Sequence, residues 1–485
     1  MAIYFRPTGL NESETYLATL CQNSFLRLWS YPNMYSAPGK ELTDLLVVCG
    51  KYVFIFSDKN CEFDDTGDII IKWKRWWKKS IHKSKYQVLS AEKHLFYYKK
   101  PIFADPKCQE PFPIDIPEIS EAKIIRITIT KGCVDACQKF FGKHVGGMVI
   151  VTEHQSIDNL EEIGPFCIGD INHEGDFIHV LDEYSLKVIF DEFDTVTDFA
   201  NYFIKREQFL RSTKNIVCGS ELALFQRYIF NFDEDGVHDF LLPEEKEFIA
   251  TNLVENIVID DTDSWSYKLD PIYLTKKAHD APSKIWDTLI EHFASHIIDG
   301  TMLSENLETI SDHEKVIRLM ALETRFRRRL LGNTLYDCQN LKDTIKRNHT
   351  RMVYHPDRPN ETPYIIVHTK QREGMSDEDY RRFRSACLSD YCIVFLAENY
   401  PLFNRVVGLG FNYNNQPMAG NSEEIIVMET NDSIIDEMRK DAEEIKKELG
   451  IFNKKTMKIT YSEEKEYPDI NEEELAQGWI RTPQR

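Results

Sequence analysis

The stretch that most constrains this chain is Gly39–Asn60, GKELTDLLVVCGKYVFIFSDKN. Two runs of β-branched and aromatic residues flank Gly50–Lys51, and a leading glycine supplies the positive φ that a two-residue type II′ turn requires. On that turn Cys49 faces Tyr52, Val48 faces Val53, Leu46 faces Ile55 and Asp44 faces Ser57. Side chains alternate along a strand, so Asp44, Ser57 and Lys59 share one face while Glu41, Thr43 and Asp58 take the other. Opposed residues hold their Cβ atoms roughly 5 Å apart, which places Asp44 against Ser57 with Lys59 diagonally near. An acid, a hydroxyl and an amine therefore converge at one end of an otherwise apolar hairpin. The plain alternative is a strand end turned to water.

The chain has 485 residues, 42% of them hydrophobic, enough for two or three cores. Its formal charge of −20 argues against adhesion of the whole surface to nucleic acid. Eleven cysteines without a spaced framework, and a start with no apolar leader, predict reduced thiols and a soluble cytoplasmic protein. Without an apolar run of spanning length, no membrane partner is expected.

Periodicity predicts a helix from Asn11 to about Ser30, then the hairpin, then a long helix over IKWKRWWKKSIHKSKYQVLSAEKHLFYYKK. Strands are expected at AKIIRITITKG, GGMVIVT and FIHVLDEYSLKVIF, and a helix capped at Thr195 closes a first domain at residue 212. Residues 213–348 read as mostly helical. Residues 349–485 read as an α+β module with an acidic tail, its strands at PYIIVHT, YCIVFLA, RVVGLGF and EEIIVME and its helices at Asp377–Leu388 and Ile434–Leu449.

Between Lys72 and Lys100 there are ten Lys or Arg against one acid, Glu92. Such segregation in an acidic chain marks Lys72, Lys74, Arg75, Lys78, Lys79 and Lys83 as candidates for contact with nucleic-acid phosphates. A solvated charged face is the alternative. Trp73, Trp77, Ile81 and Val88 form one stripe for packing; Trp76, Ser80, Lys83 and Gln87 form another that looks toward the hairpin.

A carboxylate beside a lysine at a sheet end suits phosphodiester hydrolysis, with the acid on a divalent cation and the amine beside the attacked phosphate. Glu14, on the apolar stripe of the first helix, is a further candidate ligand, although Asn11-x-x-Glu14 also matches a capping box. The order helix, hairpin, helix, strand, with Glu14, Asp44 and the SDK that ends at Lys59, resembles the PD-(D/E)xK nuclease superfamily, nearest its nuclease-related-domain and Mrr-type branches. Gln87 falls where those branches carry a helical glutamine. The resemblance spans about residues 10–130. It implies an α/β restriction-endonuclease-like N-terminal domain with an αββαβ core and added strands, a helical middle region and an α+β C-terminal domain.

It also implies a metal-dependent DNA endonuclease of a prokaryotic restriction or anti-phage defence system, with a protein partner or homo-oligomer. Asp44, Lys59, Asp58 and Gln87 would be its catalytic residues, and Glu14, Asp44 and Glu41 its ligands to Mg²⁺ or Mn²⁺. The sequence departs from the family pattern at Ser57, which stands where the family has Asp or Glu, with the acid one residue on at Asp58. Either a β-bulge re-aims Asp58, or Glu14 or Glu41 replaces it, or the fold serves as an inactive nucleic-acid-binding subunit. An RNA nuclease is the third reading.

Other signals are weaker. His179, Asp182 and Glu183 fit no metal spacing, and Cys133-x-x-x-Cys137 lacks a second ligand pair. The clusters at Arg325–Arg329 and Arg381–Arg384 fit a nucleic-acid or acidic-partner surface and ordinary salt-bridged helices equally.

Overall fold

The structure is a computed structural model. It describes residues 12–143, 146–212, 215–234, 236–250, 256–261, 264–302, 309–339, 348–412, 423–452, 458, 460 and 464–467. The chain divides into two compact units, Met1–Leu274 with Glu291–Glu314, and Thr275–Ile290 with Lys315–Arg485. Both are mixed α/β. No described helix is long and apolar enough to cross a membrane.

The first unit opens with α1 (Glu12–Phe25) and three strands, β1 (Ser30–Ala37), β2 (Lys40–Cys49) and β3 (Tyr52–Asn60). Next come α2 (Ile69–Trp77), a π-helical turn at Lys78–His82, α3 (Lys83–Glu92) and a second π-helical turn at Lys93–Tyr97, leading to β4 (Lys123–Lys131). The rest comprises α4 (Val134–Phe141), β5 (Val149–His154), α5 (Leu160–Ile163), β6 (Cys167–Asp170), β7 (Ile178–Asp182), α6 (Glu183–Glu192), α7 (Val196–Leu210), β8 (Asn215–Cys218), α8 (Glu221–Phe230), α9 (Pro243–Ala250) and β9 (Asn256–Ile259).

The main sheet runs β1-β2-β3-β4-β7, and a smaller one runs β6-β5-β8-β9. In the main sheet β1, β2 and β3 are antiparallel neighbours, whereas β4 lies parallel to both β3 and β7. Parallel neighbours need a crossover, and the basic helix between β3 and β4 is that crossover. The hairpin register is Cys49↔Tyr52, Val48↔Val53, Leu46↔Ile55, and Gly50 turns it at φ 58°.

Two faces of this sheet are packed differently. On one, Phe54 stacks on Phe25 of α1 at 5.2 Å and meets Phe199 of α7 edge-on at 5.4 Å. The other carries α3. Trp73, Trp76 and Trp77 of α2 are buried with Phe63, Phe166 and Ile178; the Trp76 indole N–H donates to the Cys61 carbonyl at 2.7 Å and that of Trp77 to the Gln155 amide oxygen at 3.2 Å, so these two large aromatic surfaces leave water with their polar edges satisfied. Gly132, at φ +93°, lets the chain leaving β4 pass Cys61: a Cβ there would lie 2.6 Å from the Cys61 carbonyl oxygen.

Helices α10 (Pro271–Asp280), α11 (Lys284–Ile298), α12 (Ile310–Ala321) and α13 (Arg325–Gln339) follow in the chain. The second unit then has β10 (His349–Val353), β11 (Tyr364–Thr369), α14 (Asp377–Asn399), β12 (Arg405–Asn412), β13 (Glu424–Glu429) and α15 (Ile435–Leu449), its sheet ordered β10-β11-β12-β13. Ile365, Val367 and Val406 of the sheet pack with Leu388, Cys392 and Phe395 of α14.

Three local expectations change. YCIVFLA is the buried second half of α14, and the latter part of FIHVLDEYSLKVIF is α6, started by the Asp182 carboxylate accepting the Ser185 N–H at 2.7 Å. Ser30–Ala37, between the expected helix and the hairpin, is a strand, and it stands at the sheet edge, where the missing N–H of Pro32 is tolerated.

Candidate polar site and basic helix

Asp44 is buried in the middle of β2, one residue before the pairing with β3 begins at Leu45↔Phe56, and the geometry of the hairpin determines what it meets. Its Oδ2 accepts the Asp58 backbone N–H at 2.5 Å and lies 3.6 Å from the Lys59 ammonium, while its Oδ1 accepts from the Gln87 amide at 2.9 Å. The other end of that amide, Oε1, accepts the Ser57 hydroxyl at 3.0 Å. Gln87 on α3 therefore clamps β2 to β3, and its orientation is fixed because only its NH₂ can face a carboxylate. Burial pushes the Asp44 carboxyl above the usual carboxylate range; Lys59, the Asp58 N–H and Gln87 pull it back. Lys59, with its side chain 32% exposed, is the member of this cluster turned to solvent.

Asp58 takes the opposite face. The pairing of β3 with β4 runs without a shift through Ser57↔Thr128, Asp58↔Ile129 and Lys59↔Thr130, so no bulge re-aims the acid. Its carboxylate meets the Lys131 ammonium at 3.0 Å, and that ammonium lies 5.9 Å from the Tyr16 ring of α1. Strand parity thus turns Asp58 away from Lys59, and of the alternatives for this acid the bulge is the one the register removes. Glu41 is engaged across the β1–β2 ladder by the Asn33 amide at 2.9 Å. The side chain of Glu14 lies outside the described residues.

The basic helix differs from a regular rod in a way periodicity did not show. Trp76 and Ser80 face inward as expected, but the extra residue of the π-helical turn carries the buried stripe on to Ser84 and leaves Lys83 exposed. Of the six predicted phosphate contacts, Lys72 is held by Asp64 and Lys74 lies 3.6 Å from Glu161. Arg75, Lys78, Lys79 and Lys83 are exposed and form no ion pair among the described residues. Tyr86, also exposed, packs edge-on against His82 at 4.9 Å, so one helix face combines unpaired cations with an aromatic.

The divalent cation implied by the resemblance is tested by this donor set. Asp44 is the one carboxylate shown facing Lys59; beside it stand a hydroxyl, an amide and an ammonium. Among the described residues, no group of three or more His, Cys, Asp and Glu is placed to hold a metal ion. A hard cation wants several oxygen ligands with at least one or two carboxylates, and the described side chains do not complete that set.

The weaker signals resolve into structure. The His179 Nδ1 lies 3.1 Å from Arg206, Asp182 also accepts the Met148 N–H, and Glu183 accepts the Gly132 N–H, so the three do not converge. Arg325, Arg328 and Arg329 are buried on Asp287 and Asp280, and Arg384 on Asn412 and Glu424. Arg325, Arg328, Arg329 and Arg384 are thus spent on internal partners, while Arg382 stays exposed and pairs with the exposed Glu378 one turn away at 2.6 Å. No protein-family model matches the chain, and no curated protein matches it.

Proposed function

We propose that the first unit is a nucleic-acid-binding domain built on the restriction-endonuclease plan, with DNA lying along the exposed face of the basic helix and a backbone phosphate drawn toward Lys59. The observation that carries this reading is the set Arg75, Lys78, Lys79 and Lys83, exposed and without an ion pair among the described residues, in a chain of net charge −20. Unpaired cations this close together repel one another, and a polyanion relieves that repulsion while releasing its own counterions. The same helix carries Gln87 into the polar cluster, so a backbone on its outer face would run near Lys59. The setting that the resemblance implies, a restriction or antiviral defence system with a partner protein, belongs to this proposal.

A second reading, a metal-dependent endonuclease, is favoured by one specific feature: Asp44 and Lys59 stand 3.6 Å apart with Gln87 on the acid. That reading needs Glu14 or another acid to complete the cation site, and Ser57 in the acid position weighs against it.

One experiment separates the two. The full chain is mixed with duplex DNA, single-stranded DNA and RNA with and without Mg²⁺ or Mn²⁺, beside Lys59→Ala and a variant with Arg75, Lys78, Lys79 and Lys83 changed to Ala. Binding without cleavage, with a salt slope smaller by roughly 3–4 in the fourfold variant, supports the binding domain. Cleavage abolished by Lys59→Ala establishes the enzyme. Unchanged affinity and slope in the fourfold variant refute the proposed interface.

A further inference from the structure

In the second unit, His349 on β10 and His368 on β11 are directly paired across an antiparallel ladder. Side chains of such a pair leave the sheet on the same side with Cβ atoms roughly 5 Å apart, close enough for two imidazoles to share one ion. The Nε2 of His349 and the Nδ1 of His368 are both buried and both lack a hydrogen-bond partner. His368 is 5% exposed, and its ring is stacked on Phe411 of β12 at 5.2 Å, which limits its freedom to turn toward another acceptor or donor. Other buried nitrogens also lack a partner, Trp73 Nε1 and His313 Nδ1 among them, but His349 and His368 stand opposed on one rung, where a single ion would serve both.

We infer that His349 and His368 form a site for one divalent transition-metal ion of the class that favours imidazole, such as Zn²⁺, Ni²⁺ or Cu²⁺. A lone pair on a neutral imidazole is the ligand such ions prefer, while Mg²⁺ and Ca²⁺ prefer oxygen. His349 is only half-buried and β10 is the outermost strand, which gives an ion a path to the pair. The nearest opposing charge effect is that of Arg351, two residues along β10; its exposed side chain is free to extend into water. Two protein ligands leave the remaining positions to water or to a small ligand.

The test uses the full chain stripped of metal, in a background carrying His292→Ala and His296→Ala, because those two rings stand 4.7 Å apart one helical turn from each other and would bind metal on their own account. Titration with Zn²⁺ by calorimetry should show one site per chain. His349→Gln, at the more exposed position, and His368→Asn should each weaken it at least about tenfold. Cu²⁺ at one equivalent should give an electron paramagnetic resonance spectrum with hyperfine structure from two nitrogens, reduced to one nitrogen or lost in His349→Gln. Circular dichroism of each variant reports whether it folds, and His349→Gln alone suffices should His368→Asn unfold. Equal Zn²⁺ affinity in the background protein and His349→Gln, or a Cu²⁺ spectrum without two nitrogens, would overturn the assignment, leaving the two nitrogens to water.

Discussion

Replacing Gln87 with leucine removes the clamp of the polar site while keeping much of its volume. Two hydrogen bonds disappear, one to the buried Asp44 carboxylate at 2.9 Å and one from the fully buried Ser57 hydroxyl at 3.0 Å. A bond to an ionised group contributes about 1.5–3 kcal/mol and a neutral one about 0.5–1.5 kcal/mol. Gln87 is half-buried, so water recovers part of the loss and the expected destabilisation is about 2–3 kcal/mol. The loss should also depend on pH. Asp44 already has its carboxyl raised by burial, and Gln87 is one of the groups that lowers it. A carboxyl raised in the folded state adds stability below its unfolded value and forfeits it as pH rises through the folded value. Without Gln87 the folded value climbs further, so the deficit is full where Asp44 is ionised and shrinks on acidification as it protonates. Urea unfolding of both proteins at pH 7.5 and near pH 4 should show a deficit about twice as large at the higher pH. A deficit that does not change with pH, or one below about 0.5 kcal/mol, would refute the clamp.

Two further outcomes follow from buried charge. Arg206 donates twice to Glu221 at 2.8 Å, both side chains being almost wholly buried, and Tyr202 donates to the same carboxylate at 2.6 Å. Arg206→Met should destabilise the first unit by about 3–5 kcal/mol, and a second change, Glu221→Leu, should recover most of it by removing the stranded acid, as thermal unfolding of the single and double variants would show. In the metal-free second unit, burial lowers His368 from its ordinary value of 6.5 to about 4. Its folded value is depressed, so the neutral ring adds stability above the unfolded value that is lost as pH falls from 6.5 toward 4. The loss is at most about 3 kcal/mol, and unfolding curves across that window should be flatter for His368→Leu.

Much of the site was legible because the hairpin carries its own ruler. Alternation of apolar residues and the glycine at Gly50 gave the Leu46↔Ile55 rung, and from that rung the common face of Asp44, Ser57 and Lys59 follows by parity alone. Gln87 was legible through helical spacing, but its role was not: its bond to Ser57 depends on how closely α3 approaches β3. The partner of Asp58 was hidden for a similar reason. Lys131 ends a strand distant in sequence, and only the parallel rung Asn60↔Lys131 brings it alongside. YCIVFLA misled because a short apolar run suits a strand as well as a buried helix. The helical signal lies further back, in the Ser376 cap and the Leu388, Cys392, Phe395 stripe. The π-helical turn left no mark, since one inserted residue changes a helix face without changing composition.

Strand parity also bears on how the two functional readings relate. In a ladder without a bulge, an acid at position 57 would look out beside Lys59, and an acid at 58 must look toward α1; here the chain has serine at the first and aspartate at the second. The acid therefore does a different task, holding Lys131 on the α1 side, while Ser57 and Gln87 close a hydrogen-bonded circuit around Asp44. That circuit already satisfies both Asp44 oxygens without a cation: Oδ1 by Gln87, Oδ2 by a backbone N–H and an ammonium. A metal would have to displace these donors, and their loss would count against its binding. The amine, by contrast, keeps a solvent-facing edge and needs no rearrangement to meet a phosphate. The proposed phosphate contact is thus compatible with the pocket as it stands. Hydrolysis would require the circuit to open and a further acid to join Asp44 on the cation.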